Sequence, residues 1–340
     1  MRFKTSIRNI QTFSKLTASL SSLGKVAWVR LDDDTVRFTI IPETGTQVWA
    51  SLLIDSIFED YTIQSAAPNN TINLELPLTP LHRALKSAIN ASSASIRLTK
   101  REGVPVLSLT IITNTISSGN SANGFLNGAN QDPFGDNAFR EEHLDAGKDR
   151  EAIITQDIPV RVLTADSVEG IHEPRVREPD AHIILPSLIQ LKAISDRFTK
   201  LAMATSTSAG RGGTAGNNVP KLELAANMHG GLKLSISTDA LNISSVWTGL
   251  TNPELDPRQV EDGVEEHPST KLKAAGPDAW STVRIDGRDW GKVLSVGRLG
   301  GRVIACFAND NALILYVYLS NYEDGTDESV LTYYISSFSV

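Results

Sequence analysis

Only one cysteine, Cys306, occurs in 340 residues. A lone thiol excludes an intramolecular disulfide and any zinc site built on two or more sulfurs, and it fits a reducing compartment. No apolar run approaches the ~18 residues that a membrane-spanning helix needs. The opening Met1-Arg2-Phe3-Lys4-Thr5-Ser6 turns polar at once, so no secretory leader is expected. Six histidines, His82, His143, His172, His182, His229 and His267, show none of the spacings of a metal site. The glycines around Gly210-Arg211-Gly212-Gly213 lack the Gly-Lys-Ser/Thr ending of a phosphate-binding loop, and no Gly-x-Ser-x-Gly elbow is present. Nothing in the residues therefore calls for a cofactor, a metal or a catalytic centre.

A composition of 41% hydrophobic and 21% charged residues is enough to bury a full core, and the length suggests two domains. The formal net charge is −7, but the charges are unevenly placed. Four stretches, 4–31, 78–101, 181–203 and 284–302, hold 18 of the 32 Lys and Arg and only 3 of the 39 acids, a local balance of +15 against −22 elsewhere. An acidic body with one basic surface is the expected result.

Each basic stretch reads as a short apolar strand followed by an amphipathic helix. The first pairs Met1–Ile7 with a helix whose Ile10, Phe13, Leu16, Leu20 and Leu23 share one face, leaving Arg8, Lys15, Ser19 and Ser22 opposite. The second pairs Ile72–Leu76 with a helix after Pro77, striped by Leu78, Leu81, Leu85 and Ile89, with Arg83 and Lys86 one turn apart on the other side. In the third, His182–Leu185 and Pro186 precede inward Leu188, Leu191, Ile194, Phe198 and Leu201 and outward Lys192, Arg197 and Lys200. The fourth, Thr282–Ile285, leads to inward Trp290, Val293, Leu294 and Gly297, with Arg288, Lys292 and Ser295 opposite and Arg298 near the helix end.

Antiparallel hairpins fill the spaces between. Val26–Leu31 and Val36–Ile41 flank Asp32-Asp33-Asp34-Thr35, which turn chemistry explains more simply than a metal. Ile96–Lys100 pairs with Val104–Ile112, Lys221–Asn227 with Leu232–Thr238, and Val303–Ala308 with Ala312–Leu319, before a last strand at Val330–Phe338. Both halves follow one order, strand, helix, strands, strand, helix, strands, as an internal duplication would. The expected domains are 1–165 and 181–340, joined by a linker at 166–180. Polar insertions are expected at 114–150, 205–218 and 252–276, without stable structure of their own.

Four such units, two per domain, resemble the DNA sliding clamps. In that fold, of α+β class, two similar domains carry antiparallel sheets outside and two helices each on the inner face. The segment Leu78-Thr79-Pro80-Leu81-His82-Arg83-Ala84-Leu85-Lys86-Ser87-Ala88 is similar to the clamp helix whose lysines face DNA. Among clamps the chain most resembles the HUS-one subunits of the heterotrimeric DNA-damage checkpoint clamp, the nine-one-one clamp. That likeness is carried by Met1-Arg2-Phe3-Lys4, by Leu81–Asn90, by Thr155-Gln156-Asp157-Ile158-Pro159-Val160-Arg161-Val162 and by Tyr333-Tyr334-Ile335-Ser336.

The resemblance implies a non-catalytic ring subunit with two partner subunits of the same fold, a clamp loader, double-stranded DNA through the ring, checkpoint and repair factors as clients, nuclear residence and no membrane. It implies DNA-facing roles for Lys15, Arg83, Lys86, Lys192 and Arg298, and position in the basic helices adds Lys25, Lys200 and Lys292. Subunits of that family join edge to edge, here through Ile153, Ile154, Ile158, Val160 and Val162 in the first domain and Leu241, Ile243, Val246 and Trp247 in the second. The linker 166–180 matches the family's interdomain connecting loop, and its sequence shows no apolar client pocket. A self-assembling homotrimeric replicative clamp is the alternative reading.

Overall fold

Strict alternation of buried and exposed side chains sets the strands. In Val26–Leu31, Ala27, Val29 and Leu31 point inward, and in Thr35–Ile40, Val36, Phe38 and Ile40 do the same. The computed structural model describes residues 1–43, 45–115, 150–208, 221–238, 240–254, 263–319 and 329–338. Most of the first two expected insertions and residues 255–262 of the third lie outside the described residues.

The first half runs β1 (Arg2–Ile7), α1 (Ile10–Leu23), β2 (Val26–Leu31), β3 (Thr35–Ile40), β4 (Gln47–Leu53), α2 (Ile54–Ile57), β5 (Phe58–Gln64), β6 (Ile72–Pro77), α3 (Leu78–Ser87), β7 (Ser93–Arg101), β8 (Val104–Thr115), β9 (Arg150–Pro159) and β10 (Arg161–Leu163). A short turn of helix, α4 (Ala165–Val168), opens the linker. The second half runs β11 (Ala181–Ile184), α5 (Leu188–Ser208), β12 (Lys221–Ala226), β13 (Leu232–Thr238), β14 (Leu241–Trp247), α6 (Pro268–Ala274), β15 (Ser281–Asp286), α7 (Gly287–Val293), β16 (Arg302–Ala308), β17 (Ala312–Leu319) and β18 (Ser329–Ser336). A 3-10 segment, Leu294–Leu299, continues α7.

Every strand pairing is antiparallel, in three sheets ordered β5-β1-β7-β8-β9, β10-β6-β2-β3-β4-β18-β17-β16-β11 and β14-β13-β12-β15. The duplication is visible in these orders. The run β6-β2-β3-β4 has its counterpart in β15-β12-β13-β14, and β1-β7-β8-β9 in β11-β16-β17-β18. The nine-stranded sheet crosses from one half to the other through β4 and β18, in register from Gln47 opposite Tyr334 to Ser51 opposite Val330. Ser329 reinforces the crossing, its hydroxyl accepting the Leu53 amide at 3.1 Å.

Aromatic edges organise the first core, with Phe13 T-shaped against Phe58 at 5.5 Å between centroids and Phe3 against Tyr61 at 5.6 Å. The triple-aspartate segment is a turn, as expected. The Asp32 carboxylate accepts the Thr35 amide at 2.7 Å and the Asp34 amide at 3.2 Å, and Asp33 accepts the Asn70 side-chain amide at 2.7 Å. Gly301 has φ +99° and lies so close to the Tyr318 carbonyl that any Cβ would collide with it.

Several expectations change. Strands β4 and β5 are additions to the hairpins read from sequence. The first-domain edge expected from Ile153 to Val162 is not one strand but breaks at Val160, where β9 in one sheet gives way to β10 in another. The region 252–276 is not simply a polar insertion: α6 lies there, capped by a buried His267 whose Nδ1 accepts the Ser269 amide at 3.2 Å. Helix α5 carries on into the expected loop as far as Ser208. Leu201 is 44% exposed and Ala202 is buried in its place, and Ile89 lies beyond the end of α3, exposed.

His182 on β11 is buried, and its Nε2 donates to the Pro253 carbonyl at 2.7 Å. Burial holds its pKa below the ordinary histidine value; the Pro253 hydrogen bond works against this, while His267 and Lys273 add to it. The unfolded chain takes up the proton near its ordinary value of about 6.5, while the folded chain resists it, so protonation favours unfolding. Thermal unfolding temperature should therefore fall as pH is lowered through and below about 6.5, and His182→Gln should flatten that slope. An identical slope in the variant would remove His182 as the cause.

Candidate nucleic-acid interface

Four helices form one continuous layer. Helix α1 packs on α3 to one side and on α7 with its 3-10 continuation to the other, and α5 closes the row against α7. Local chemistry sets the starts of α1, α3 and α7. The Asn9 side chain accepts the Thr12 amide at 2.9 Å to cap α1, and Asp286 accepts the Arg288 and Asp289 amides at 2.8 and 3.2 Å to cap α7. Pro77 precedes α3, where a proline does not interrupt the helical hydrogen bonds.

The seam between the halves contradicts the outward placement of Ser19, while Ser22 is exposed as expected and borders the same seam. Ser19 is only 2% exposed, because α1 turns this edge toward the fourth helix. Its hydroxyl reaches the Ser295 carbonyl at 3.4 Å, and the Ser22 and Ser295 hydroxyls meet at 3.3 Å. Small hydroxyl side chains let the two backbones approach and also find acceptors there, so a polar stripe on a helix projection is in fact a packing surface. Next to it, the indole N–H of Trp290 donates to the buried Ser195 hydroxyl at 3.1 Å, and Ser195 in turn donates to the Leu191 carbonyl at 2.8 Å, tying α7 to α5.

Lys15, Arg83, Lys86 and Lys200 on the helices, Arg298 on the 3-10 continuation, and Lys25, which lies between α1 and β2 rather than in a helix, are exposed, and none has an ion pair among the described residues. The other two expected DNA-facing residues are engaged within the chain. Lys192 is half-buried, bonded to the Gly291 carbonyl and 3.4 Å from Asp196, and Lys292 donates to Asp289 at 2.9 Å. Free lysine and arginine heads on flexible stems meet phosphates without reading bases, which is what a surface that tracks DNA of any sequence requires.

The expected edge residues separate into three groups. Ile153 and Ile154 on β9 are 65% and 44% exposed, and Val246 on β14 is 52% exposed. Leu241, Ile243 and Trp247 are partly buried against the core, as is Val162, which belongs to β10. Ile158 and Val160 are buried, so their side chains serve the core, and the Val160 amide is already spent on the Pro105 carbonyl at 3.0 Å. Both β9 and β14 terminate their sheets with one backbone edge unpaired among the described residues. Sequence reasoning also missed a cavity of about 900 Å³ between the linker and the outer face of the large sheet, lined by Ile171 from the linker and by Trp28, Trp49 and Leu163 from the sheet. Its sheet side comes from residues on six strands that sequence separation hides, which is why the linker alone gave no sign of it.

Trp290→Ala should cost about 3–5 kcal/mol, since it empties a fully buried aromatic site and removes the indole donor from the Ser195 hydroxyl, which keeps its bond to Leu191. Denaturant midpoints read against the unchanged parent would show this, and a loss below about 1 kcal/mol would mean that α7 does not depend on that contact.

Comparison with solved structures shows the fold. The proliferating cellular nuclear antigen of Entamoeba histolytica superposes with a TM-score of 0.60 at 13% identity, covering 99% of both chains. That of Thermococcus kodakaraensis gives 0.59 at 14% identity, covering 99% of this chain and 100% of its own. Among curated sequences, the checkpoint protein hus1 of Schizosaccharomyces pombe is 39% identical over 339 residues, 99% of each chain. The checkpoint protein HUS1 of Homo sapiens is 24% identical over 280 residues, 78% of this chain and 82% of its own. A model of the Hus1-like protein family matches residues 1–339. With the clamp sheets, the helix layer and full-length identity in agreement, the chain belongs to the Hus1-like family.

Proposed function

We propose that the chain is a non-catalytic subunit of a heterotrimeric ring that encircles DNA at damage sites and promotes checkpoint signalling and repair, within the nucleus. The observation that carries this is a repeat of edges. Within the chain, β4 pairs with β18. The counterpart of β4 is β14 and the counterpart of β18 is β9, and these two strands end their sheets. A β14 laid beside the β9 edge of a neighbouring subunit would reproduce between chains the junction already made within one. Long exposed edges are a liability unless paired, so these two call for partners of the same fold.

The helix layer would then face the hole, with Lys15, Lys25, Arg83, Lys86, Lys200 and Arg298 free to meet phosphates. Lys192 and Lys292 would need to exchange an internal partner for a phosphate. Topological enclosure does not demand tight binding, so a net charge of −7 is compatible with the role. The domain division at 165 and 181 fits this reading, each domain supplying one interface edge, and a clamp loader would open and place the ring. The homotrimeric replicative clamp is the second reading, because β9 and β14 of one sequence could also complement each other.

Replacing Arg83 and Lys86 with Glu should weaken retention on closed circular DNA while leaving the melting temperature unchanged. The salt dependence of retention should soften by about one unit of log–log slope for each phosphate contact removed. Retention and slope equal to the parent's would remove α3 from the DNA-facing surface. Val246→Pro, with its missing amide and altered edge, should abolish co-purification with the subunit that pairs at β14 and leave the partner at β9 in place. Unchanged co-purification of both would rule out β14 as an interface.

A further inference from the structure

The two halves of the helix layer treat their cations differently. Helices α1 and α3 contain no acidic residue, so Lys15, Arg83 and Lys86 have no carboxylate on their own helix. Helices α5 and α7 each carry one, Asp196 and Asp289, a turn away from a lysine. Asp196 lies 3.4 Å from Lys192 in an i,i+4 pair, and Asp289 accepts from Lys292 at 2.9 Å in an i,i+3 pair. Both carboxylates occupy space that a glycine leaves open. A Cβ at Gly291 would come within 2.9 Å of Asp196 Oδ1, and one at Gly45, between β3 and β4, within 2.9 Å of Asp289 Oδ2. Lys192 also donates to the Gly291 carbonyl in the last turn of α7, an end of a helix that favours a cation. The four side chains remain between 32% and 47% exposed, so each lysine head is at the surface but already matched.

We propose that Asp196 and Asp289 are built-in counter-ions that withhold Lys192 and Lys292 from DNA and so lighten the grip of the second half on a duplex threaded through the ring. This rests on the ring reading above. A free lysine that meets a phosphate releases a condensed counter-ion, and that release drives the binding. A lysine already neutralised by a carboxylate on its own helix gains little from the exchange, and the displaced carboxylate is left facing the phosphates. Each pair therefore adds almost no net attraction, although its lysine lies on the same layer as the free cations. Such a distribution suits a ring that has to move. Topology prevents escape, so surplus phosphate contacts only slow travel along the duplex. Asp196 and Asp289 are positioning residues in this account, acting through their lysines rather than by touching DNA.

The test is amine-reactive footprinting of the assembled ring, read by mass spectrometry with and without closed circular DNA, beside single-ring diffusion along stretched duplex. In the parent, DNA should shield Lys15, Lys86 and Lys200 and leave the labelling of Lys192 and Lys292 unchanged. Asp196→Asn should bring Lys192 under DNA protection, and Asp289→Asn should do the same for Lys292. Each variant should slow diffusion at least about twofold at low salt, with the difference fading as salt is raised. The melting temperature should stay within about 2 °C of the parent, since exposed ion pairs add little stability. Shielding of Lys192 and Lys292 in the parent overturns the proposal. So does an unchanged diffusion rate in both variants, or slowing without new protection, which would mean that the acids act only by repelling DNA. Absence of shielding at Lys15, Lys86 and Lys200 as well overturns the ring reading itself, and the proposal with it.

Discussion

A strand at the edge of a sheet exposes a row of amides and carbonyls, and this chain meets that constraint differently at equivalent places in its two halves. At β4 and β18 the chain pairs with itself, and one ladder from Gln47–Tyr334 to Ser51–Val330 fuses two similar halves into a single nine-stranded sheet. At β9 and β14, the counterparts, the same groups stay open among the described residues. The fold therefore contains one finished junction and the two halves of another. Fixing the angle between the halves at β4–β18 also sets where α1 meets the fourth helix, and hence the continuity of the helix layer that carries the cations. The serine seam is the second fastening of that same junction, on the opposite face of the sheet.

Charge segregation follows from this geometry rather than from overall composition. Four helices separated by tens of residues in sequence present their cations on one layer because each repeats the same strand-to-helix entry. The internal partners of Lys192 and Lys292 show that proximity to the layer does not make a cation available.

Much of this was legible in the sequence where one periodicity acts alone. The four amphipathic helices, the hairpins around tight turns and the duplicated order followed from alternation and spacing, and the lone Cys306 is buried in the structure. The thiol sits in a strand core, where burial pushes it up to about 12. The family resemblance and the basic helix residues were also readable. Long-range partners were not. Ser19 looks like part of a solvated face until the fourth helix packs on it. Val160 looks like the middle of one strand until its backbone turns from one sheet to another. Strands β4 and β5 are separated only by the four-residue α2 and belong to different sheets, so no hairpin joins them. The cavity beneath the linker is assembled from residues 28 to 332 and has no local signature.

The account treats β9 and β14 as complementary to other chains rather than to each other. The solution mass of the purified chain, followed by light scattering across a range of concentrations, tests that most directly. The account expects a monomer near 36.8 kDa at every concentration, with a three-chain particle formed only when two different subunits of the same fold are added. A stable trimer of this chain alone would contradict it and put the homotrimeric ring in its place.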